Sequence, residues 1–326
     1  MHIRPDTRRI SRWISAWAAL SLLLGLVAFL GGCGERPAED EPNTLRGGLQ
    51  KVKLPPLEGD LPEKGEGRVS GGALPELDEL ESEAPDLSER YPDLPDFSGM
   101  LDVQEKKRRF FEFMSDLLQA ENVRIRQERF RLVKLYRAFL RGEAPEGEDR
   151  VWLQSLCRKY RESFGDGADA ELFRNLLVKV DIVPLDVGIA QAANESAWGA
   201  SRFASMGNNL FGQWCFEEGC GLVPLRRSAG STHEVKSYSS PRHSVRDYMK
   251  NLNSHPAYRQ FRVIRYRQRK SDSGLDGAEL AEGLLAYSGI GHEYVGRLRG
   301  IMEQYEAYRA EAEAEAKKER EQGEPE

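Results

Sequence analysis

Between Gly34 and Gly99 lie nine of the chain's sixteen prolines, together with seventeen acidic residues against seven basic ones. Each proline fixes a backbone dihedral and removes a hydrogen-bond donor, and the unbalanced negative charge repels itself, so this stretch is a poor candidate for a packed core. It holds Pro55-Pro56, Gly71-Gly72 and recurrent Leu-Pro, Pro-Glu and Pro-Asp pairs, with few aromatics. The expectation is a disordered acidic, proline-rich tether over residues 34–99, reaching on the order of 200 Å at about 3.1 Å per residue.

Charge divides the remainder of the 326 residues in the same way. The formal net charge of −6 is made of +3 over residues 1–33, −10 over 34–99, +5 over 100–310 and −4 over 311–326. A mildly basic folded body of about 200 residues therefore sits between acidic flanks, large enough for one core. An excess this small argues against a nucleic-acid binder. The tail from Glu311 reads as a fraying helix end or as disorder.

The N-terminus carries Arg4, Arg8, Arg9 and Arg12, then an apolar run from Ile14 to Leu30, then Gly31-Gly32-Cys33. A basic segment, a hydrophobic segment and small residues before a cleavage point read as an export signal over residues 1–33. A single membrane anchor is the competing reading, since about 17 residues is the lower limit for spanning. The position of Cys33 resembles a bacterial lipobox, which implies a lipidated cysteine at the start of the mature chain. Gly34 after it implies sorting to the outer membrane, on the periplasmic side of a Gram-negative envelope. In such an oxidising compartment Cys215 and Cys220, five residues apart, are expected to form a local disulfide. A zinc site there has only His233 and His243 as weak further ligands. Cys157, on a helical stripe, reads as a buried small hydrophobe.

Within the body, apolar residues from Phe110 to Phe139 recur at three- and four-residue steps, predicting one or two amphipathic helices over 103–140. Further helices are expected at 151–160, 172–180, after Pro184, at 241–253, at 277–287 and at 294–308. Between Asn208 and Ser240 glycines punctuate short runs such as Leu222-Val223-Pro224-Leu225 and Glu234-Val235-Lys236-Ser237-Tyr238. That pattern predicts a small β-hairpin lobe in a mainly helical α+β domain.

On the helix after Pro184, Leu185, Ile189, Ala192 and Ser196 share a face, and Glu195 falls about 80° from its centre at 100° per residue. A carboxyl at such a boundary is partly desolvated, which raises its pKa toward the range a general acid needs. An ordinary boundary glutamate is the competing reading. Flat rings at Trp198, Phe211, Trp214, Tyr238 and Tyr258 suit the faces of sugars; core packing is the alternative, favoured for Phe211. Asn208 and Asn209 are candidates to bond acetamido groups or to shape their loop.

The run Gln191-Ala-Ala-Asn-Glu195-Ser-Ala-Trp-Gly199-x-Ser-Arg-Phe, then Asn208-Asn-Leu-Phe-Gly212, resembles the signature of the cell-wall glucosaminidases of glycoside hydrolase family 73. The continuation Gln213-Trp-Cys-Phe, Cys220-Gly-Leu-Val-Pro, Tyr238-Ser-Ser-Pro, Ser244-Val-Arg-Asp-Tyr-Met and Leu284-Leu-x-Tyr287-Ser is most similar to the Bax-type glucosaminidase-domain proteins. The resemblance spans about residues 105–305. It implies a lysozyme-like fold that hydrolyses the β-1,4 bond after N-acetylglucosamine in peptidoglycan strands, with no cofactor and no metal. Carried over residue by residue, it implies Glu195 as the acid, Tyr294 beside the cleaved bond, Glu234 as general base, and Tyr287 among the substrate contacts. Glu217, Glu218 and Asp247 compete with Glu234, and assistance by the sugar's own acetamido group needs no second carboxylate. A non-catalytic wall-binding lipoprotein and a lytic transglycosylase using Glu195 alone are the other readings.

Overall fold

The computed structural model describes residues 91, 93–225, 227, 230–271 and 274–323; the export signal, Cys33 and nearly all of the expected tether lie outside the described residues. Helix α1 (Val103–Leu140) runs unbroken for 38 residues, its first turn closed by Asp102, whose carboxylate accepts the N–H groups of Gln104 and Glu105. Its apolar stripe, with Phe110, Met114, Leu117 and Leu118 fully buried, is the longest wall of the core. Helices α2 (Gly147–Tyr160) and α3 (Ala170–Lys179) follow. Pro184 then caps α4 (Leu185–Ser196).

Helix α4 is buried nearly all round, not on one face, and packs against α1 and against the C-terminal α9 (His292–Gly323). Its alanines and Gly188 allow this: a Cβ at Gly188 would lie 2.8 Å from the Leu118 methyls of α1. After the short α5 (Arg202–Gly207) come three strands, β1 (Trp214–Cys215), β2 (Gly221–Leu222) and β3 (Glu234–Lys236). They form one antiparallel sheet in the order β1-β3-β2, with Trp214 opposite Val235 and Gly221 opposite Lys236. The molecule is thus a mainly helical α+β fold with a small β lobe, of three strands instead of a simple hairpin.

Helix α6 (Pro241–Ser254) starts at Ser240, whose hydroxyl caps the N–H of His243. A 3-10 turn (Pro256–Tyr258) leads into α7 (Arg259–Ser271), then come α8 (Gly277–Leu280), a 3-10 segment (Ala281–Tyr287) and α9. Sequence pattern did not mark α7, because its core side includes an arginine. Arg265 is fully buried, and its guanidinium donates to the carbonyls of Val178, Lys179, Asp181 and Ile182 and to Asn253 Oδ1. It satisfies acceptors left over at the C-terminal end of α3. Asp181, 2% exposed, accepts hydrogen bonds from Nε and Nη2 of Arg269 and keeps its pKa low despite burial, through the field of Arg129, Arg265 and Arg269. The tail from Glu311 continues α9 to Gly323 as helix.

The compositional break at 99 does not coincide with the edge of the packed body. Phe97 is 1% exposed, with its ring 5.3 Å from that of Phe110 and 5.7 Å from that of Phe113. Tyr91 stacks edge-on to Phe113 at 5.0 Å and donates to Asp116. No helix among the described residues is long and apolar enough to cross a membrane. Phe97→Ala is expected to cost about 3 kcal/mol, measured by urea unfolding; a loss below 0.5 kcal/mol would place Phe97 outside the cooperative unit.

Candidate active site

Glu195 occupies the last turn of α4 and is half-buried. Desolvation pushes its carboxyl up to about 7, against the pull of hydrogen bonds from Asn194 (3.1 Å) and the Tyr294 hydroxyl. It forms no ion pair among the described residues, and the negative end of the helix dipole disfavours its ionised form further. The helix stops directly after it. Ala197 (φ 50°), Trp198 (φ 60°) and Gly199 (φ 76°) are all left-handed, and Ser196 Oγ accepts the Gly199 N–H at 2.8 Å. Left-handed backbone costs a non-glycine residue about 1–2 kcal/mol, and such strain is characteristic of functional sites.

Four tyrosines surround the acid: Tyr248 from α6, Tyr258 and Tyr287 from the two 3-10 segments, and Tyr294 from α9. Burial first, and the Glu195 charge among the further causes, raises the pKa of all four, so each remains a neutral hydroxyl at ordinary pH. The Tyr287 and Tyr294 rings are stacked at 5.7 Å. Gln191, fully buried one turn before Glu195, links the set. The Tyr248 hydroxyl donates to Gln191 Oε1 at 2.6 Å, and Gln191 Nε2 donates to the Tyr294 oxygen at 2.9 Å. With its oxygen occupied as an acceptor, Tyr294 turns its own proton toward Glu195. Sequence reasoning did not single out Gln191; the available signal was a polar residue four positions before the acid on an otherwise apolar helix.

Beside this cage lies a cleft of about 430 Å³. Asp247, Lys250, Asn251 and Ser254 form its α6 wall; Arg161, His255, Phe211 to Trp214, Phe216 and Lys236 complete the lining with Tyr258 and Tyr287, which neighbour Glu195, while Glu195 itself does not line it. Of the ring candidates Trp214, Phe211 and Tyr258 line the cleft, and so does Tyr287, which the resemblance put among the substrate contacts. The Tyr287 hydroxyl donates to the Phe211 carbonyl at 3.0 Å, and the Phe211 ring lies flat on Tyr248 at 3.8 Å. Tyr238 stands just behind the wall, its hydroxyl 2.6 Å from Gln213 Oε1 and 2.8 Å from Asp247 Oδ2.

Other candidates are placed elsewhere. Trp198 turns away from the cleft onto α1, with its ring 5.6 Å from Phe110, 5.4 Å from Phe111 and under the Lys107 ammonium. Asn209, 1% exposed, ties the loop together: its amide donates to the carbonyls of Gln213 and Lys236, and its oxygen accepts the N–H groups of Phe211 and Gln213. Asn208 closes α5 in the left-handed conformation and donates to the Tyr238 carbonyl. Both asparagines shape the loop.

Glu234 shares its face of β3 with Lys236, but its carboxylate is turned into the loop that the Cys215–Cys220 disulfide closes. It accepts the N–H of Gly219 at 3.1 Å and of Gly221 at 2.8 Å, which lower its pKa. Glu234 and the two sulfurs lie within 4.8 Å of one another, yet the sulfurs are bonded to each other, which leaves a single ligand for any ion. His233 stacks on Trp214 and His243 contacts Ser239. Cys157 is buried, its thiol pushed up to about 11 by desolvation.

The family model described as mannosyl-glycoprotein endo-beta-N-acetylglucosaminidase matches residues 170–307. Protein bax of Escherichia coli (strain K12) is 31% identical over 208 residues, 64% of this chain and 72% of that relative. The chain belongs to the glucosaminidase family. No solved structure matches it significantly. The matched glucosaminidase segment begins with α3 and ends within α9, so it includes Glu195, its tyrosines and the β lobe, while α1, α2 and Arg161 precede it.

Two outcomes follow from this geometry. Tyr294→Phe removes a hydrogen bond that lowers the Glu195 pKa, so that pKa should rise above about 7 in carboxyl-carbon NMR; no change would remove Tyr294 from the acid's surroundings. A carboxyl whose folded pKa exceeds its unfolded value near 4.5 contributes fully below that value and loses its contribution as pH rises through about 7. Glu195→Gln should therefore be more stable than the native chain at pH 8 but not at pH 4, by on the order of 2 kcal/mol after allowance for partial exposure, read from urea unfolding at both pH values.

Proposed function

We propose that this glucosaminidase-family protein cleaves the glycan strands of peptidoglycan at the β-1,4 bond after N-acetylglucosamine, with Glu195 as the general acid. The observation that carries this reading is a carboxyl held near neutrality by desolvation, beside an aromatic cleft, with only neutral hydrogen-bond donors around it. Protonated Glu195 gives its proton to the bridging oxygen as the bond to the anomeric carbon breaks. The carboxylate left behind is stabilised by the Tyr294 and Asn194 donors, so the same contacts that hold the acid become stronger as charge develops.

The companion to Glu195 is less evident. Asp247 reaches the cleft, but Lys236 Nζ (2.6 Å) and the Tyr238 hydroxyl hold it, and they keep its pKa low against the effect of burial. Glu234 is engaged by two backbone N–H groups, and in this reading it serves the disulfide loop. Both carboxylates are therefore already engaged, Asp247 by an ammonium and a phenol hydroxyl and Glu234 by two backbone N–H groups. This favours attack by the substrate's own 2-acetamido oxygen, followed by water. The same observation supports a second reading, lytic transglycosylation with Glu195 alone, in which the muramic acid 6-hydroxyl closes on the anomeric carbon.

Envelope location is part of the proposal: lipid on Cys33 holds the chain to a membrane, and the acidic tether carries the domain toward the wall. Cys33→Ser should abolish incorporation of labelled palmitate and release the protein to the soluble fraction.

Digestion of purified peptidoglycan with the full-length protein in detergent, followed by mass spectrometry of the new ends, tests the chemistry. Reducing N-acetylglucosamine ends are expected, with kcat falling at least about 100-fold in Glu195→Gln, the usual scale for a lost general acid, and less than about tenfold in Glu234→Gln. Activity should decline as pH rises through about 7, because the acid must be protonated. Anhydro-muramyl ends would transfer the assignment to the second reading, and intact strands under all conditions would overturn both.

A further inference from the structure

The cleft carries more positive charge and more hydrogen-bond donors than a neutral sugar needs. Asp247 is neutralised by Lys236 at 2.6 Å, which leaves Arg161 and Lys250 as the unbalanced charges of the lining. Both are exposed, and among the described residues neither has a carboxylate within 4.0 Å. His255, also in the lining, adds no charge near pH 7, since burial and the fields of Arg161 and Arg262 lower its pKa.

Two further groups are donors without acceptors. Ser254, 2% exposed on the α6 wall with Lys250, has a hydroxyl with no hydrogen-bond partner, and Trp214, also in the lining, has its indole N–H in the same condition. Buried polar groups in native proteins are rarely left unpaired unless something else completes them. Arg161 also stands at the end of α2 with φ 56°, a left-handed position that glycine or asparagine usually fills. A strained backbone that presents a guanidinium to a cleft is a local cost of the kind associated with ligand clamps.

We propose that the basic end of the cleft, at Arg161, Lys250 and Ser254, binds carboxylates of the stem peptide carried by muramic acid, so that the protein selects peptide-bearing strands over bare glycan. The proposal rests on the peptidoglycan reading above. It goes beyond general attraction between a basic body and an anionic polymer, because it assigns the charge to one wall and one substituent of the substrate. Guanidinium and ammonium donors suit a carboxylate, and the hydroxyl supplies a further donor. The aromatic groups of the lining are left for the sugar.

Three substrates separate the sources of a carboxylate: strands with stem peptides, strands stripped by an amidase so that only the lactyl carboxylate remains, and N-acetylglucosamine oligomers with none. The full-length protein in detergent is expected to show a kcat/KM at least tenfold higher on peptide-bearing than on stripped strands. Arg161→Gln with Lys250→Gln should reduce that ratio at least fivefold, through KM, and should flatten its fall with added salt. Equal use of peptide-bearing and stripped strands, or a ratio that survives the double substitution, overturns the proposal. So does discrimination only between stripped strands and oligomers, which would assign the wall to the lactyl group. Binding of soluble peptide-bearing and stripped fragments to Glu195→Gln, followed by calorimetry, gives the same comparison without turnover. If no strand is cleaved but the double substitution still removes a binding preference, the catalytic reading fails and this one stands.

Discussion

A single side-chain amide, that of Gln191, is bonded at both ends inside the protein, and the placement of Glu195 depends on it. Its oxygen is fixed by Tyr248 of α6 and its nitrogen by Tyr294 of α9, while its backbone belongs to α4. A buried amide that lost one of these partners would leave an unpaired donor or acceptor, at a cost of about 1–3 kcal/mol. Three helices are therefore held in mutual register by the requirement to satisfy one polar group. The acid sits one turn further along the same helix, so the register of the helices is also the geometry of the site.

The buried arginine of α7 plays the corresponding part at the other end of α4. Arg265 collects carbonyls from the end of α3 and from the segment that leads into α4, and Asn253 brings α6 to the same point. Its burial lowers its pKa to about 10, still well above neutrality, so the charge is kept and the acceptors around it remain paired. Packing of small residues brings α1 and α9 close to α4, while these two polar knots decide the angle at which it is presented. Neither knot is a surface ion pair of the kind that contributes little.

The order of helices and the lobe between them were legible because apolar spacing and glycine punctuation report directly on burial. Glu195 was legible for the same reason, as a carboxylate at the edge of an apolar stripe; Tyr258, Tyr287 and Tyr294 were legible singly, by ring chemistry or by family resemblance, but their convergence with Tyr248 around the acid was not. Tyr248, Tyr258, Tyr287 and Tyr294 are distributed over almost fifty residues, and no local pattern brings them to one point. Helix α7 has no sustained apolar stripe to report it because pattern rules count arginine as solvent-facing, and here two, Arg262 and Arg265, are spent on carbonyls in the core. For Trp198 and Asn209 residue type leaves both sugar contact and a structural role open; the left-handed turn after Glu195 throws the first onto α1, and a tight loop consumes the amide of the second. Composition placed the start of the body at 100, since the few apolar residues before it are diluted by acids and prolines, yet Phe97 belongs to the core.

That aromatic also gives the molecule a mechanical layout. Its ring lies on the α-carbon of Gly199, where even a methyl group could not be accommodated, and Gly199 is four residues beyond Glu195. A chain entering the body from its N-terminal side is held first by Tyr91 on α1 and then by Phe97 at a point adjoining the turn that ends α4. Load applied along that chain is shared between the Tyr91 contacts on α1 and the Phe97 ring, and the second of these delivers it next to the left-handed turn that follows the acid.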